Sequence, residues 1–245
     1  MTPRFSCIYG LIGLALTLSL STPARSESIS TNSISMPDAP KWLTESRVER
    51  VVENIQRHME WDIRKASVKW WPEQASFQQF HGYDASVLAV SKKLENSIHL
   101  GPRVTSTNFD AVFGHELVHI ILFQKYKTAV PKWLDEGLAN YIAKQGRVDY
   151  AWLATQTPRD LRSLAHPFKQ DQNSTGARYH YQASTAAIEM IASRCSLHDL
   201  LQLSVGEKLE NYLSTFCRLP DLNSEFNKWV QKNHKLPPKN AEERG

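Results

Sequence analysis

Hydrophobic positions in the first half of the chain follow two different spacings. Apolar residues recur every three or four positions over residues 42–59, which predicts a helix. Three short apolar runs of the kind found in strands follow at residues 66–71, 87–91 and 97–100. A short helix is expected between the first two runs, over residues 73–80. This part of the chain therefore predicts a small β-sheet.

Beyond residue 104 the spacing of apolar residues is helical almost throughout. The Thr-Ser-Thr-Asn segment at 105–108 can cap a helix that runs to about residue 125, and Pro131 suits the first turn of the next helix. A loop-rich stretch is expected near residues 155–178. Helices are also predicted over residues 131–143, 181–193, parts of 197–217, and 224–232. The pattern predicts an α+β fold in which a small N-terminal β-sheet lobe packs on a mainly α-helical core.

The two ends of the chain are predicted to lie outside this fold. Arg4 precedes an apolar run of 13 residues from Ile8 to Leu20, and small residues follow it. That run is shorter than the about 20 residues that span a bilayer, so residues 1–26 are interpreted as a cleaved signal peptide rather than a membrane anchor. The remaining divisions are a flexible, Ser-rich lead-in at 27–40, one domain at 41–233, and a disordered tail at 234–245. The protein is thus expected to be exported, either to the periplasm or into the medium.

Charge and cysteine content narrow the possible partners. The formal net charge is +4, and it falls to +2 when Arg4 and Arg25 leave with the signal peptide. So small a charge gives no support to a nucleic-acid partner, and no membrane span is expected after cleavage. Cys195 and Cys217 are the cysteines that remain. In an oxidising compartment they can form a disulfide, and the alternative is two buried thiols.

Three hydrophilic residues interrupt the most apolar of the predicted helices. The stretch FDAVFGHELVHIILFQKYK, residues 109–127, is apolar on nearly every side, so the helix is expected to be buried. His115 and His119 lie four residues apart and point the same way, while Glu116 lies about 100° further round the helix. Burying such groups without partners costs on the order of several kcal/mol each. Some partner must therefore satisfy them.

The spacing H-E-x-x-H suggests what that partner is. Two imidazoles at positions i and i+4 can each place a ring nitrogen about 2.0 to 2.1 Å from one tetrahedral Zn²⁺. Glu116 would lie beside the metal and take a proton from a zinc-bound water. The alternative is a core helix whose histidines are satisfied by hydrogen bonds. The motif favours one zinc ion per chain, held in part by His115 and His119.

A catalytic zinc site also needs a third protein ligand and an open position. The next predicted helix, PKWLDEGLANYI, supplies Glu136, 17 residues after His119, which is enough chain for the first helix to end and the next to return antiparallel. Asp135 is a competing ligand. Gly137 can permit close approach at this point, and Asn140 is a candidate to orient His115 or Glu136. We expect Glu136 to complete the zinc site.

The two motifs together resemble a known family of enzymes. HELVH followed by WLDEGLANY is similar to the gluzincin metallopeptidases, above all the peptidase MA-like zinc metallohydrolases, in which H-E-x-x-H precedes W-L-x-E-G-x-A. The resemblance is specific over residues 109–142 and looser to about residue 230. It implies a zincin-like fold, zinc ligation by His115, His119 and Glu136, and a role for Glu116 as general base.

The resemblance also implies a tyrosine that stabilises the oxyanion of the reaction. The segment YHYQASTAAIEMI, which begins at Tyr179, is similar to the tyrosine-containing helix of such enzymes. Tyr181 is the candidate, with Tyr179 and His180 as rivals. For substrate binding, residues 97–100 can form an edge strand that pairs with an extended peptide, or else an ordinary strand of the sheet.

These features predict zinc-dependent hydrolysis of peptide bonds, with a peptide or protein as substrate and Glu116 as the base. One alternative is an exported zinc-binding protein of weak or no activity that holds a peptide or protein partner in its groove. Another is hydrolysis of a non-peptide amide. The sequence contains no G-x-S-x-G, no Gly-rich phosphate loop and no C-x-x-C, which removes motif support for serine hydrolases, nucleotide enzymes and thiol oxidoreductases.

Overall fold

A computed structural model describes residues 27–164, 174–203 and 209–235 of the chain. The described residues form an α+β fold, as the sequence predicts, with strands at the N-terminal side and helices in the remainder. The predicted signal peptide, residues 1–26, lies outside the described residues, and so does the predicted tail beyond Lys235. Among the residues described, no helix is both long enough and apolar enough to cross a membrane.

The described strands form one mixed, five-stranded sheet. The strands are β1 (Glu27–Ser30), β2 (Ile34–Ala39), β3 (Ala66–Trp70), β4 (Ala89–Lys92) and β5 (Ser97–Leu100). Their order across the sheet is β1-β2-β3-β5-β4. The outer pairs β1/β2 and β4/β5 are antiparallel, whereas β2/β3 and β3/β5 are parallel. At each side of the sheet, the outermost strand therefore belongs to an antiparallel hairpin.

The prediction of a flexible lead-in over residues 27–40 is wrong, because this segment supplies the first two strands. Ile29, Ile34, Met36 and Ala39 are all buried in the core. Apolar and serine residues alternate over residues 28–30 and 34–36, which is the period of a strand with one buried face. The Ser-rich composition hides that period, and the parallel pairing with β3 that fixes β2 cannot be seen locally. Residues 27–39 therefore belong to the folded domain.

Of the two alternatives for residues 97–100, an edge strand or an ordinary strand of the sheet, the structure confirms the second. This strand, β5, lies between β3 and β4, and all four of its residues are buried. A short 3-10 turn, Lys93–Glu95, folds β4 back against β5 and makes β4 the outermost strand on that side. Among the described strands, the free edge on this side therefore belongs to Ala89–Lys92.

The helices follow the predicted order with some changes in length. They are α1 (Glu45–Met59), α2 (Gln74–His81), α3 (Phe109–Tyr126), α4 (Lys132–Ile142), α5 (Tyr150–Ala154), α6 (Ser174–Ala192), α7 (Leu197–Leu203), α8 (Leu209–Thr215) and α9 (Leu222–Asn233). Helix α5 was not predicted, because a helix of five residues leaves too short a hydrophobic pattern. Helix α6 begins earlier than the expected residue 181, and Ala177 and Tyr179 in its early turns are buried.

Helix α3 occupies the centre of the fold. It contacts α1, α4 and the strands β4 and β5, so that it is covered on several sides. Helix α4 in turn packs closely on α6 at Gly137. A Cβ added to Gly137 would lie 2.6 Å from Cγ1 of Ile188 and closer still to the carbonyl oxygen of Ser184. The glycine thus permits a helix approach that positions its neighbours Asp135 and Glu136.

A disulfide joins Cys195 to Cys217, with their Cα atoms 5.1 Å apart. The bond links the segment after α6 to the segment after α8, so the disulfide is confirmed and the alternative of two buried thiols is excluded. Closing a loop of this length restricts the unfolded chain and stabilises the fold by about 3 kcal/mol. A structural disulfide is typical of proteins in an oxidising compartment.

Candidate metal centre

Helix α3 carries two histidines toward one point in the interior. His115 and His119 are 7% and 5% exposed, and their Nε2 atoms lie 3.1 Å apart. The spacing of four residues places both rings on the same side of the helix, as the sequence predicts. Two ring nitrogens at this distance cannot both present a lone pair, so a proton or another cation must lie between them.

Helix α4 brings a carboxylate to the same point. Oε2 of Glu136, a residue only 3% exposed, lies 3.6 Å from Nε2 of His115 and 3.6 Å from Nε2 of His119. The donor atoms of the three residues lie within 4.8 Å of one another. The structure therefore assembles the three side chains that the sequence proposes as a ligand set.

Asp135 lies behind His119 and not among these converging atoms. Its Oδ1 accepts a hydrogen bond from Nδ1 of His119 at 2.6 Å. Its Oδ2 accepts hydrogen bonds from Nζ of Lys93 at 2.6 Å and from Nζ of Lys132 at 2.7 Å. Both carboxylate oxygens of Asp135 thus form hydrogen bonds with groups other than the converging ligand atoms. Asp135 is placed to orient the imidazole of His119, so Glu136 is the better candidate for the third ligand.

The charges around His119 are strongly coupled. Burial by itself lowers the pKa of His119, but the Asp135 and Glu136 carboxylates outweigh it and raise that pKa to about 10. Burial by itself raises the pKa of Asp135, but His119 and the two lysines hold it well below its ordinary value. Burial has the same effect on Glu136, and His119 and His115 likewise hold its pKa well below the usual range. Two buried carboxylates are thus kept ionised and require positive charge beside them.

The residues present fit a zinc ion. Two imidazole nitrogens and one carboxylate oxygen are the donor set of a three-ligand catalytic zinc site. Zinc at this point would replace the proton between the two Nε2 atoms and supply the positive charge that the carboxylates require. The two histidines differ in what holds their other ring nitrogen. Nδ1 of His115 is buried without a hydrogen-bond partner among the described residues. Only His119 has its other ring nitrogen fixed by a carboxylate.

Asn140 does not have the orienting role expected of it. Its Nδ2 donates a hydrogen bond to Oγ1 of Thr185 at 3.0 Å, and that hydroxyl donates to the carbonyl oxygen of Tyr181 at 2.7 Å. Asn140 therefore ties α4 to α6. The orienting role belongs to Asp135, whose charge makes it the stronger hydrogen-bond acceptor.

Glu116 faces a cleft of about 330 Å³ beside the ligand set. The cleft is also lined by His115, by Tyr181 from α6, and by residues 86–89 at the start of the free edge strand. Glu116 is 8% exposed, and its carboxylate forms no hydrogen bond or ion pair with another residue that the structure describes. A nearly buried carboxylate with no such partner is available to exchange a proton with a molecule in the cleft.

Tyr181 is the member of the Tyr179–Tyr181 segment that lines the cleft. Burial raises the pKa of Tyr181 well above its ordinary value, and the Glu136 and Glu116 carboxylates raise it further, so the hydroxyl keeps its proton. The Tyr179 hydroxyl accepts a hydrogen bond from the backbone N–H of Arg159 at 3.0 Å. His180 is only 1% exposed. Tyr181 is therefore better placed than either rival to donate a hydrogen bond in the cleft.

Sequence reasoning missed the two lysines that hold Asp135. Lys132 lies three residues before Asp135 on α4, a spacing that brings side chains together on a helix. That signal is available in the sequence. Lys93 lies 42 residues from Asp135 and reaches it because the β4–β5 hairpin and α4 both pack against α3. No local pattern indicates that contact.

Comparison of the chain with models of protein families gives no match, and comparison with curated protein sequences gives none either. The interpretation of the site therefore depends on the geometry and chemistry of the side chains themselves.

Proposed function

We propose that this protein is an exported zinc-dependent peptidase with a zincin-like catalytic domain of the gluzincin kind. The observation that carries the proposal is the position of Glu116. Its carboxylate has no hydrogen-bonding or ion-pairing partner among the described residues, and it faces the same cleft as His115, beside Glu136 and His119. A purely structural metal site needs ligands only, whereas a hydrolase also needs an adjacent base.

His115, His119 and Glu136 would hold the metal, and the side of the site toward the cleft would be left for water and substrate. When bound there, zinc polarises a carbonyl group and lowers the pKa of a water molecule. The remaining chemistry belongs to the side chains. Export is supported by the Cys195–Cys217 disulfide, which suits the periplasm or the extracellular medium.

Glu116 acts as the base and then as the acid. Its carboxylate takes one proton from the attacking water while the water oxygen forms a bond to the carbonyl carbon of the substrate. It then gives that proton to the amide nitrogen as the carbon–nitrogen bond breaks. The products are a carboxylic acid and an amine, and Glu116 returns to its ionised form.

Tyr181 stabilises the negative charge that develops on the carbonyl oxygen. Its hydroxyl remains protonated, because burial and the nearby carboxylates raise its pKa. A hydrogen bond from this hydroxyl strengthens as the oxygen becomes charged, so it favours the transition state over the bound substrate.

The free edge of β4 supports an extended peptide as the substrate. Ala89 is the first residue of that strand and also lines the cleft. A peptide that pairs with β4 would continue the sheet past its last strand and pass beside Glu116. This assignment replaces the strand at residues 97–100, which is inside the sheet.

The proposal is tested with Glu116→Gln, which keeps the shape of the side chain but removes the base. The substitution is expected to lower the cleavage of a mixed peptide library at least about 100-fold while zinc content stays unchanged. Mass spectrometry of the products and metal analysis of the same samples give both values. A zinc-loaded wild-type protein that cleaves no peptide in the library would contradict the proposal and favour a binding protein.

A further inference from the structure

Two ammonium groups meet on the oxygen of Asp135 that does not contact His119. Nζ of Lys93 lies 2.6 Å from Oδ2, and Nζ of Lys132 lies 2.7 Å from it. The side chain of Asp135 is 4% exposed, that of Lys93 is 24% exposed and that of Lys132 is 38% exposed. A chain of hydrogen bonds therefore runs from the surface lysines through Asp135 to the ring of His119.

The two lysines reach Asp135 from different elements. Lys132 belongs to the first turn of α4, the helix that also carries Asp135. Lys93 belongs to the 3-10 turn between β4 and β5. The Lys93 contact is thus a tertiary one, which forms when the hairpin and α4 are both packed against α3.

We propose that Lys93 is a positioning residue for the metal centre. Its ammonium group fixes the carboxylate of Asp135 so that Oδ1 meets Nδ1 of His119, and this contact fixes the direction of Nε2. Lys93 does not bind the metal, because a protonated amine has no lone pair to give. The inference rests on the proposed function in that it requires a metal between His115, His119 and Glu136.

The difference between the two histidines increases the importance of the hydrogen bonds that link Lys93 through Asp135 to His119. Nδ1 of His115 has no hydrogen-bond partner among the described residues, so the ring of that ligand is not held from behind. The orientation of the metal ligands on α3 then depends on His119 and on what holds Asp135. Removing one of the two ammonium groups leaves a buried carboxylate with less compensation and more freedom to turn.

The same contact fixes the edge strand relative to the metal centre. Lys93 directly follows Lys92, the last residue of β4, and the other end of that strand lines the cleft. The hydrogen bond from Lys93 to Asp135 therefore sets the distance between the strand that would pair with a peptide and the site that would cleave it.

The test measures zinc affinity in Lys93→Met, a substitution that keeps most of the length of the side chain and removes its charge. The dissociation constant for zinc, from competition with a chromogenic chelator, is expected to rise about 10-fold, at the low end of effects seen for groups that support metal ligands. Lys228→Met is the matched control, because Lys228 is an exposed lysine in an ion pair on α9. It should keep the wild-type constant.

A second variant separates positioning from general destabilisation. Lys93→Cys can be alkylated with 2-bromoethylamine, which restores an ammonium group on a side chain of nearly the original length. Zinc affinity should fall in Lys93→Cys and recover after alkylation, with wild-type protein treated in the same way as the control. Phe226→Leu, a substitution in the buried face of α9, should lower the melting temperature without changing zinc affinity.

The outcomes distinguish this inference from the proposed function. A wild-type protein that takes up no zinc would contradict the proposed function and the inference with it. A wild-type protein that binds zinc, together with Lys93→Met that binds it with the same constant, would overturn the inference alone. Loss of affinity in Lys93→Cys that alkylation does not restore would also overturn it.

Discussion

Oδ1 of Asp135 lies 2.6 Å from Nδ1 of His119, at the ring nitrogen that does not face the other ligands. Asp135, which directly precedes the candidate ligand Glu136, thus holds the imidazole of the candidate ligand His119 in place. Asp135→Asn removes the charge but little of the volume. We expect it to weaken zinc binding about 10-fold, because a neutral amide is a poorer acceptor and leaves two lysines without a counter-charge.

Chelator competition measures this loss of affinity, and Asp62→Asn, at an exposed position, is the control. An Asp135→Asn variant with the zinc affinity of the wild type would show that the hydrogen bond to His119 does not support the site.

Tyr181 is expected to act in the transition state. Tyr181→Phe removes the hydroxyl that would donate to the oxyanion and should lower kcat about 100-fold with little change in KM or zinc content. Tyr179→Phe is the matched control, because that hydroxyl binds the backbone of Arg159 outside the cleft. The kinetics of peptide hydrolysis by both variants give the kcat and KM values to compare. Equal kcat values for the two would exclude Tyr181 from catalysis.

A residue larger than glycine at position 137 is expected to destabilise the fold. In Gly137→Ala the new methyl group would overlap the Ser184 carbonyl oxygen and lie 2.6 Å from Ile188, so α4 and α6 would have to separate. We expect the free energy of unfolding to fall by about 1 to 3 kcal/mol, as in other overpacked cores. Urea unfolding measures the difference.

Gly114→Ala provides a comparison for Gly137→Ala within the neighbouring helix. Its added Cβ would lie 3.3 Å from Cβ of Ala143, a contact that a small shift relieves. Alanine also favours a helix over glycine, so the stability should change little or rise. A Gly137→Ala variant as stable as Gly114→Ala would contradict the close approach of α4 and α6.

His99 makes the stability of the fold depend on pH. Trp71 donates its indole N–H to Nδ1 of His99 at 3.2 Å, so this nitrogen must carry no proton. Burial outweighs the opposing effect of Glu95 and, with smaller contributions from Lys69 and Lys92, lowers the pKa of His99 from 6.5 to about 4. Between these values the unfolded chain binds more protons than the folded one, so acid favours unfolding.

The contribution of His99 to stability should be fully present above pH 6.5 and should fall as the pH drops toward 4. The loss approaches about 3 kcal/mol, since each unit of pKa shift corresponds to about 1.4 kcal/mol. Urea unfolding of the wild type and of His99→Gln at a series of pH values isolates this contribution, and His58→Gln, at an exposed histidine, is the control. Parallel stability curves for the wild type and His99→Gln would contradict the assignment.

The sequence predicts the central part of this molecule well because the relevant information is local. His115, Glu116 and His119 share one helix, and their spacing determines which side chains converge. Glu136 follows on the next helix, at a distance that a short turn can close. The helical period and the motif therefore predict the two helices and the convergence of His115, His119 and Glu136.

The wrong or missing predictions concern strand pairings and contacts between residues that are far apart in the sequence, which no local pattern indicates. Strands β1 and β2 were hidden by their serine content, and their burial depends on pairing with β3. The position of β5 inside the sheet depends on β4 folding back over it. The contact of Lys93 with Asp135 joins residues 42 positions apart and depends on the fold of the β4–β5 hairpin.

The most direct test of the account is the zinc content of the purified protein. Metal analysis without added metal should find about one zinc per chain, and both His119→Ala and Glu136→Ala should lose it or bind it far more weakly. Circular dichroism would verify that the variants remain folded. A stably folded wild-type protein that stays empty when zinc is supplied would contradict the account, because the buried histidines would then be satisfied by a proton alone.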